Sequence, residues 1–237
     1  MRTKRTHDSF YLQEKPNMPP KESFKFIENL IRQDSLKTQR ILDIGCANGA
    51  FPNYLKKSFP NYEIEGMELL KELVLKAQES YPHVKFFQGS VLSRPKKFMI
   101  SNYDSITALG LISIFDNLDE VFKNIMMMVK PGGKIYIHGM FNRYDLDVFI
   151  KYHKSNLHKL KYVESGWNIV SLATCKRILD KLGAAKVELH DFKLEIDLVK
   201  KDYDEVRSWT IKLENGERII TNGLCLIQPQ AVLEITA

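Results

Sequence analysis

Apolar positions along the chain alternate between short continuous runs and longer stretches with helical spacing. Phe24, Ile27, Leu30 and Ile31 recur every three or four residues and predict a helix from Lys21 to about Gln33. Ile41-Leu-Asp-Ile44 then reads as a buried strand running into Gly45. Phe51 to Ser58 predicts the first crossover helix, with Pro52 tolerated in its first turn. The same alternation continues through a strand at Tyr62–Met67, a helix at Leu69–Ser80 stopped by Pro82, and strands at Val84–Phe87 and Asp104–Leu109. A helix at Leu118–Val129 follows, closed by Lys130-Pro-Gly-Gly133, and then a fifth strand at Lys134–His138. Strands alternating with helices in this way predict an α/β fold with a doubly wound, mainly parallel sheet.

The flanks are less regular. Residues 1–20 are polar and end in Asn17-Met-Pro-Pro20, which predicts an arm that is extended or only briefly helical. Asp145 to about Tyr162 is expected to be an inserted helix with a basic face formed by Lys151, Lys154, Lys159 and Lys161, with His153 and His158 interleaved. Ser171 is placed to cap a last helix that Gly183 ends. Val187–Phe192 predicts a sixth strand, and Ala231–Ile235 a seventh that is antiparallel. Between them, Trp209 to Asn222 predicts a hairpin turning at Asn215-Gly216. The whole is expected to be one domain: arm and helix to residue 37, a core over 38–141, an inserted cap over 142–170, and helix, strands and hairpin over 171–237. The inserted helix and the hairpin together are expected to form a cap.

Composition narrows the setting. The 237 residues are 44% hydrophobic, enough for one sizeable core. No apolar run reaches membrane-spanning length and no apolar signal core follows Met1-Arg-Thr-Lys-Arg5, so a cytoplasmic location is expected. Cys46, Cys175 and Cys225 have neither disulfide nor metal spacing, and no metal is expected. The net charge of +6 leaves room for an anionic substrate without requiring nucleic acid.

The chemistry concentrates in Ile41-Leu-Asp-Ile-Gly-Cys-Ala-Asn-Gly-Ala50. A glycine turn between a buried parallel strand and a helix is where open α/β sheets place ligands. The nicotinamide fingerprint would need closer glycines and a third one. Asp43-x-Gly45-x-x-x-Gly49 instead resembles motif I of the class I S-adenosylmethionine-dependent methyltransferases, with Ala47 at the middle glycine. Glu68, at the end of the second strand, matches the acid that this family uses on the ribose hydroxyls, and the Lys130-Pro-Gly-Gly133 turn is a further family feature.

The resemblance implies a Rossmann-like methyltransferase fold of seven strands and S-adenosyl-L-methionine as cofactor, with S-adenosyl-L-homocysteine as product. It assigns cofactor binding to Asp43, Gly45, Cys46, Ala47, Gly49, Met67, Glu68, Ser90, Val91 and Leu109, and to Tyr11 folded over from the arm. Two positions depart from the family pattern. Gly89-Ser90 stands where Gly-Asp is common, and Ser113-Ile114 where many relatives carry Glu-His. Methyl transfer from a sulfonium is an in-line displacement that positioning can carry. A hydroxyl acceptor gains from a base, and His138 at the end of the fifth strand is the expected one. Ser113, Asn142, Arg143, Tyr144 and Lys151 are the expected substrate contacts.

The function expected is methyl transfer to an oxygen or nitrogen of a small molecule. A phosphorylated or nucleotide-linked metabolite of surface-glycan synthesis is one candidate acceptor. The Asp/Asn-Pro-Pro-aromatic loop of nucleic-acid amino-methylating enzymes and the Pro-Cys of cytosine C5 enzymes are both missing, so a nucleic-acid partner is not expected. A protein or RNA substrate and a non-catalytic cofactor-binding protein are the alternatives; the oligomeric state is left open.

Overall fold

A computed structural model describes residues 10–16, 18–34, 39–153, 155 and 163–237. The arm contributes a single helical turn, α1 (Phe10–Gln13), and the predicted first long helix is α2 (Glu22–Gln33). The alternating core follows as β1 (Arg40–Ile44), α3 (Ala50–Ser58), β2 (Glu63–Glu68), α4 (Lys71–Ser80), β3 (Lys85–Gln88), β4 (Tyr103–Leu109), α5 (Asp119–Met128) and β5 (Val129–Asn142). Short strands β6 (Lys151–Tyr152), β7 (Glu164–Ser165) and β8 (Val170–Ser171) lead to α6 (Leu172–Lys181). The chain ends in β9 (Lys186–Asp191), the hairpin β10 (Trp209–Lys212) and β11 (Arg218–Thr221), and β12 (Gln230–Thr236).

The main sheet has the order β3-β2-β1-β4-β5-β12-β9, and β8 pairs with the far end of β5. Strands β1 to β5 pair in parallel, whereas β12 lies antiparallel between β5 and β9. Strand order reverses between β1 and β4, which opens the crevice where ligands bind in such sheets. Alternate residues of β1 serve opposite faces, as strand geometry requires. Leu42 and Ile44 join the core formed with α5 and α6, and Ile41 joins the one formed with α2, α3 and α4.

The Lys130-Pro-Gly-Gly133 turn is drawn into the start of β5. Gly132 takes a φ of +74°. A Cβ on Gly133 would lie 2.7 Å from the Asp104 carbonyl oxygen, so the turn admits no side chain there. Ser171 caps α6 by accepting from the Thr174 N–H at 3.1 Å, and Gly183 ends it at φ +81°, both as predicted. Among the described residues no helix is long and apolar enough to cross a membrane.

The inserted helix does not form over residues 145–153. Asp147 is taken by α6: its carboxylate accepts from the Ser171 N–H at 2.6 Å and the Thr174 hydroxyl at 2.7 Å. Val148 bridges to Ile169, and Lys151–Tyr152 pairs antiparallel with Glu164–Ser165. These outside partners hold the backbone extended, against the local spacing that suggested a helix. Lys154, His158, Lys159 and Lys161 lie outside the described residues.

Candidate active site

The glycine turn after β1 is folded onto the end of β2. The N–H groups of Gly45 and Cys46 both donate to the Met67 carbonyl, at 2.8 and 3.2 Å. Gly45, Ala47 and Gly49 take φ values of +74°, +49° and +80°. This left-handed backbone turns the Ala47 N–H toward Glu68, whose Oε2 accepts it at 3.1 Å. Oε1 of the same carboxylate accepts from the Leu70 N–H at 2.9 Å. An ionised carboxylate offers about four lone-pair sites. Half-buried Glu68 thus accepts from two backbone amides at the end of β2.

Asp43 is 2% exposed and accepts from the Thr107 hydroxyl on β4 at 2.8 Å. Burial pushes its carboxyl up to about 8, against the Thr107 hydrogen bond, and the nearby Glu68 charge adds to the rise. Two of the predicted cofactor residues also have packing roles. Gly49 is required by packing, because a Cβ there would lie 2.7 Å from Phe86 and 2.9 Å from Ala77. Cys46 turns its thiol into the core against Gly66, which leaves its backbone at the turn. Ser90 accepts from the Leu92 N–H through its hydroxyl, and buried Val91 gives its carbonyl to Asn124. The loop with which Asp43 and Glu68 are associated and the open backbone at Gly110 (φ +68°, nothing within 4 Å of a Cβ) fit a nucleoside cofactor laid across the switch point.

A cavity of about 530 Å³ adjoins the ends of β4 and β5. Leu109, Gly110, Ser113 and His138 form its floor, with Trp167 and Phe192 among its walls. Its cover comes from Tyr11 and Glu14 of the arm, residues 20–24, and the segment 194–208. The hairpin lines a separate cavity of about 670 Å³, together with Asn142, Arg143 and Tyr144. Among the described residues the arm and the 194–208 segment cover the strand ends, and the hairpin lines the neighbouring cavity.

The predicted substrate residues are accordingly dispersed. Asn142 caps a local turn through the Tyr144 N–H, and Arg143 pairs with Asp191 at the surface. Tyr144 is 77% exposed. The Lys151 ammonium lies 2.6 Å from both Asp116 oxygens and 2.8 Å from the Ser165 hydroxyl. Ser113 lines the cavity, but it is buried and its hydroxyl faces the Met140 N–H at 3.4 Å.

His138 does line the cavity, edge-on to Phe192 with ring centroids 5.2 Å apart. Its Nε2 is shut from solvent and has no hydrogen-bond partner among the described residues. Burial lowers its pKa to about 4, helped by the Lys21 charge and partly offset by a hydrogen bond with Gln230. The imidazole is therefore neutral near pH 7.

Sequence reasoning missed the arm's fastenings. Lys76 of α4 donates to the carbonyls of Tyr11 at 3.3 Å, Leu12 and Glu14 at 2.7 Å. Asn48 of the glycine turn donates to Glu14 Oε2 at 3.2 Å, and Arg207 contacts Oε1 at 3.4 Å. Nothing in local spacing marks such long-range contacts. Thr107 was findable, as a polar residue inside the apolar run of β4.

Residues 42–135 match the family model described as a methyltransferase domain. The chain is 29% identical over 172 residues to a malonyl-[acyl-carrier protein] O-methyltransferase of Halalkalibacterium halodurans, covering 68% of this chain and 62% of that protein. It is 21% identical over 126 residues to a fatty-acid O-methyltransferase of Mycolicibacterium smegmatis, covering 52% and 45% of the two chains. The chain thus spans about three fifths or less of the length of these relatives. In fold it is similar to a SAM-dependent methyltransferase from Methanosarcina mazei, with a TM-score of 0.59 at 12% identity over 87% of this chain and 96% of the other. Motif I, the acid at the end of β2 and the sheet order agree with these likenesses: residues 42–135 match a methyltransferase domain, and the chain is similar to the S-adenosylmethionine-dependent methyltransferases.

Proposed function

We propose that the protein transfers a methyl group from S-adenosylmethionine to an oxygen of a small acyl acceptor held in the cavity beyond β4 and β5. The observation that carries this reading is the adjacency of two features at one sheet edge. The Glu68 carboxylate, already oriented by two backbone N–H groups, faces the glycine turn. The cavity begins at Leu109 and Gly110 and shares Glu14 with that turn through Asn48. The bound cofactor supplies an electrophilic methyl on a sulfonium.

In this reading Glu68 holds the ribose hydroxyls, and Asp43 with the turn at Gly45 and Ala47 orients the amino-acid end. Tyr11, Leu109, Trp167 and Phe192 shape the acceptor's place and exclude water, so that proximity and alignment carry the reaction. His138 contributes shape and a neutral wall rather than proton removal. The names of the two sequence relatives favour an acyl oxygen over an amine. Phosphate recognition by Lys151 has no part in it, since Asp116 already holds that ammonium.

Calorimetry with S-adenosylhomocysteine, followed by transfer of labelled methyl to a panel of short and long acyl acids, tests the reading. Failure of the wild-type protein to bind S-adenosylhomocysteine overturns it. Binding without turnover on any acyl acid, alcohol or amine favours the non-catalytic alternative.

A further inference from the structure

The charges lining the acceptor cavity, three carboxylates and three cations, do not all pair with one another. Three carboxylates line it, and each is matched by a cation. Glu14 faces Arg207 at 3.4 Å and accepts from Asn48. Glu22 is paired with Lys25 at 2.7 Å, and Asp197 with Arg218 at 2.8 Å. Arg207, also on the lining, is bound to Asp204 at 3.2 Å as well as to Glu14. Two cations remain. Among the described residues neither Lys21 nor Lys201 has a carboxylate within salt-bridge distance, although both line the cavity.

Lys21 is the better placed of the two. Its ammonium stands 5.5 Å from the centre of the Tyr11 ring and 5.7 Å from that of Phe24, so it is held between two aromatic faces rather than by an anion. Its charge reaches the floor of the cavity, where it helps keep His138 unprotonated. A cation held over aromatic rings keeps its N–H donors for another partner, and an anionic oxygen makes the strongest one.

We propose that the acceptor enters as an anion and that Lys21 is the residue that selects it, with Lys201 adding positive field at the rim. This rests on the methyltransferase reading above and narrows it to acceptors carrying a carboxylate or a phosphate. The chemistry shared by these two is a compact group of anionic oxygens on an apolar body, which suits a cavity lined by Leu109, Trp167 and Phe192.

The test measures binding of four eight-carbon probes, octanoate, octyl phosphate, octanol and octylamine, to the protein saturated with S-adenosylhomocysteine. At least one anion should bind tenfold or more tightly than octanol and octylamine, and which of the two does so separates carboxylate from phosphate. Lys21→Met should lower that anion's affinity at least fivefold while leaving S-adenosylhomocysteine affinity unchanged, and Lys21→Arg should restore most of the preference. The proposal is overturned if octanol or octylamine binds as well as both anions, if neither anion binds, or if Lys21→Met keeps the preference. Loss of S-adenosylhomocysteine binding by the wild-type protein would instead sink the methyltransferase reading itself.

Discussion

The N–H of Ala47 donates to the carboxylate of Glu68 across 21 positions of sequence, and this bond fixes the glycine turn against the end of β2. It depends on Ala47 accepting a φ of +49°, which an alanine does at some steric cost. Replacing Glu68 by alanine removes the acceptor for the Ala47 and Leu70 amides and the proposed partner of the ribose. S-adenosylhomocysteine affinity should fall by about 1–3 kcal/mol, the usual penalty for polar groups left unpaired. Titration calorimetry that finds the variant as tight as wild type would remove Glu68 from the cofactor site.

The strand ends in this arrangement were legible in the sequence because each is marked locally. Asp43, Gly45 and Glu68 lie at strand ends whose positions follow from apolar runs and turn residues. The cover was not legible, for the opposite reason. The arm is fastened by Lys76, Asn48 and Arg207, residues on three separate elements, and the segment 194–208 has no strong periodicity to announce it. Over residues 145–153 the inserted helix failed similarly, where Asp147, Val148 and Lys151 found partners outside their own segment. Spacing reports what a segment would do alone, and tertiary bonds overrode it here.

Asp43 makes the stability of the ligand-free protein depend on pH in an unusual direction. Its folded-state pKa of about 8 lies above the ordinary aspartate value of about 3.9. Between those values the folded state binds more protons at this site than the unfolded state, so the contribution of Asp43 to stability is full below about pH 4 and is lost as pH rises toward 8. Asp43→Asn should therefore gain melting temperature relative to wild type at pH 8, with the gain shrinking at pH 5. Thermal melts of both proteins at the two pH values decide it, and an equal difference at both would mean that Asp43 titrates normally.

Gly49 separates a packing requirement from a ligand requirement. A methyl group there would meet the Phe86 ring at 2.7 Å and Ala77 at 2.9 Å, on a backbone with φ +80°. Gly49→Ala should cost about 2–5 kcal/mol from overpacking and left-handed strain together. Urea unfolding reads this directly. A loss under about 1 kcal/mol would show that Phe86 moves aside easily, on the scale of ordinary surface changes.

His138 offers a test of whether the reaction needs a base at all. With its pKa near 4, the imidazole is uncharged throughout pH 6–9. Turnover should show no inflection from His138 in that range, and His138→Gln should retain activity within about tenfold, below the usual contribution of about 10²–10⁴ from a general base. A rate that rises through a pKa between 6 and 7 in the wild type and goes flat in the variant would restore His138 as the proton acceptor.

Lys76 controls how the cavity is covered. One helical turn cannot persist in water by itself, because helix nucleation costs more than a single hydrogen bond returns. α1 nevertheless stands over the glycine turn, and Lys76 places its ammonium against three carbonyls at the end of that turn, where a cation also complements the helix dipole. Other ties among the described residues include Asn48 to the Tyr11 carbonyl and to Glu14, Arg207 to Glu14, Lys21 over the Tyr11 ring, and the Phe10–Tyr203 ring contact at 5.9 Å. Lys76→Met should leave the fold intact and weaken the arm's attachment by about 1–2 kcal/mol, a factor of about 5–30 in its open population. Hydrogen exchange should then quicken at Glu14, whose N–H is bonded to the Phe10 carbonyl at 3.2 Å, and stay slow in β4. Because Tyr11 and Glu14 line the acceptor cavity, the acceptor's KM should rise in the same variant. Unchanged exchange at Glu14 would mean that the 194–208 segment, through Arg207 and Tyr203, holds the arm without Lys76.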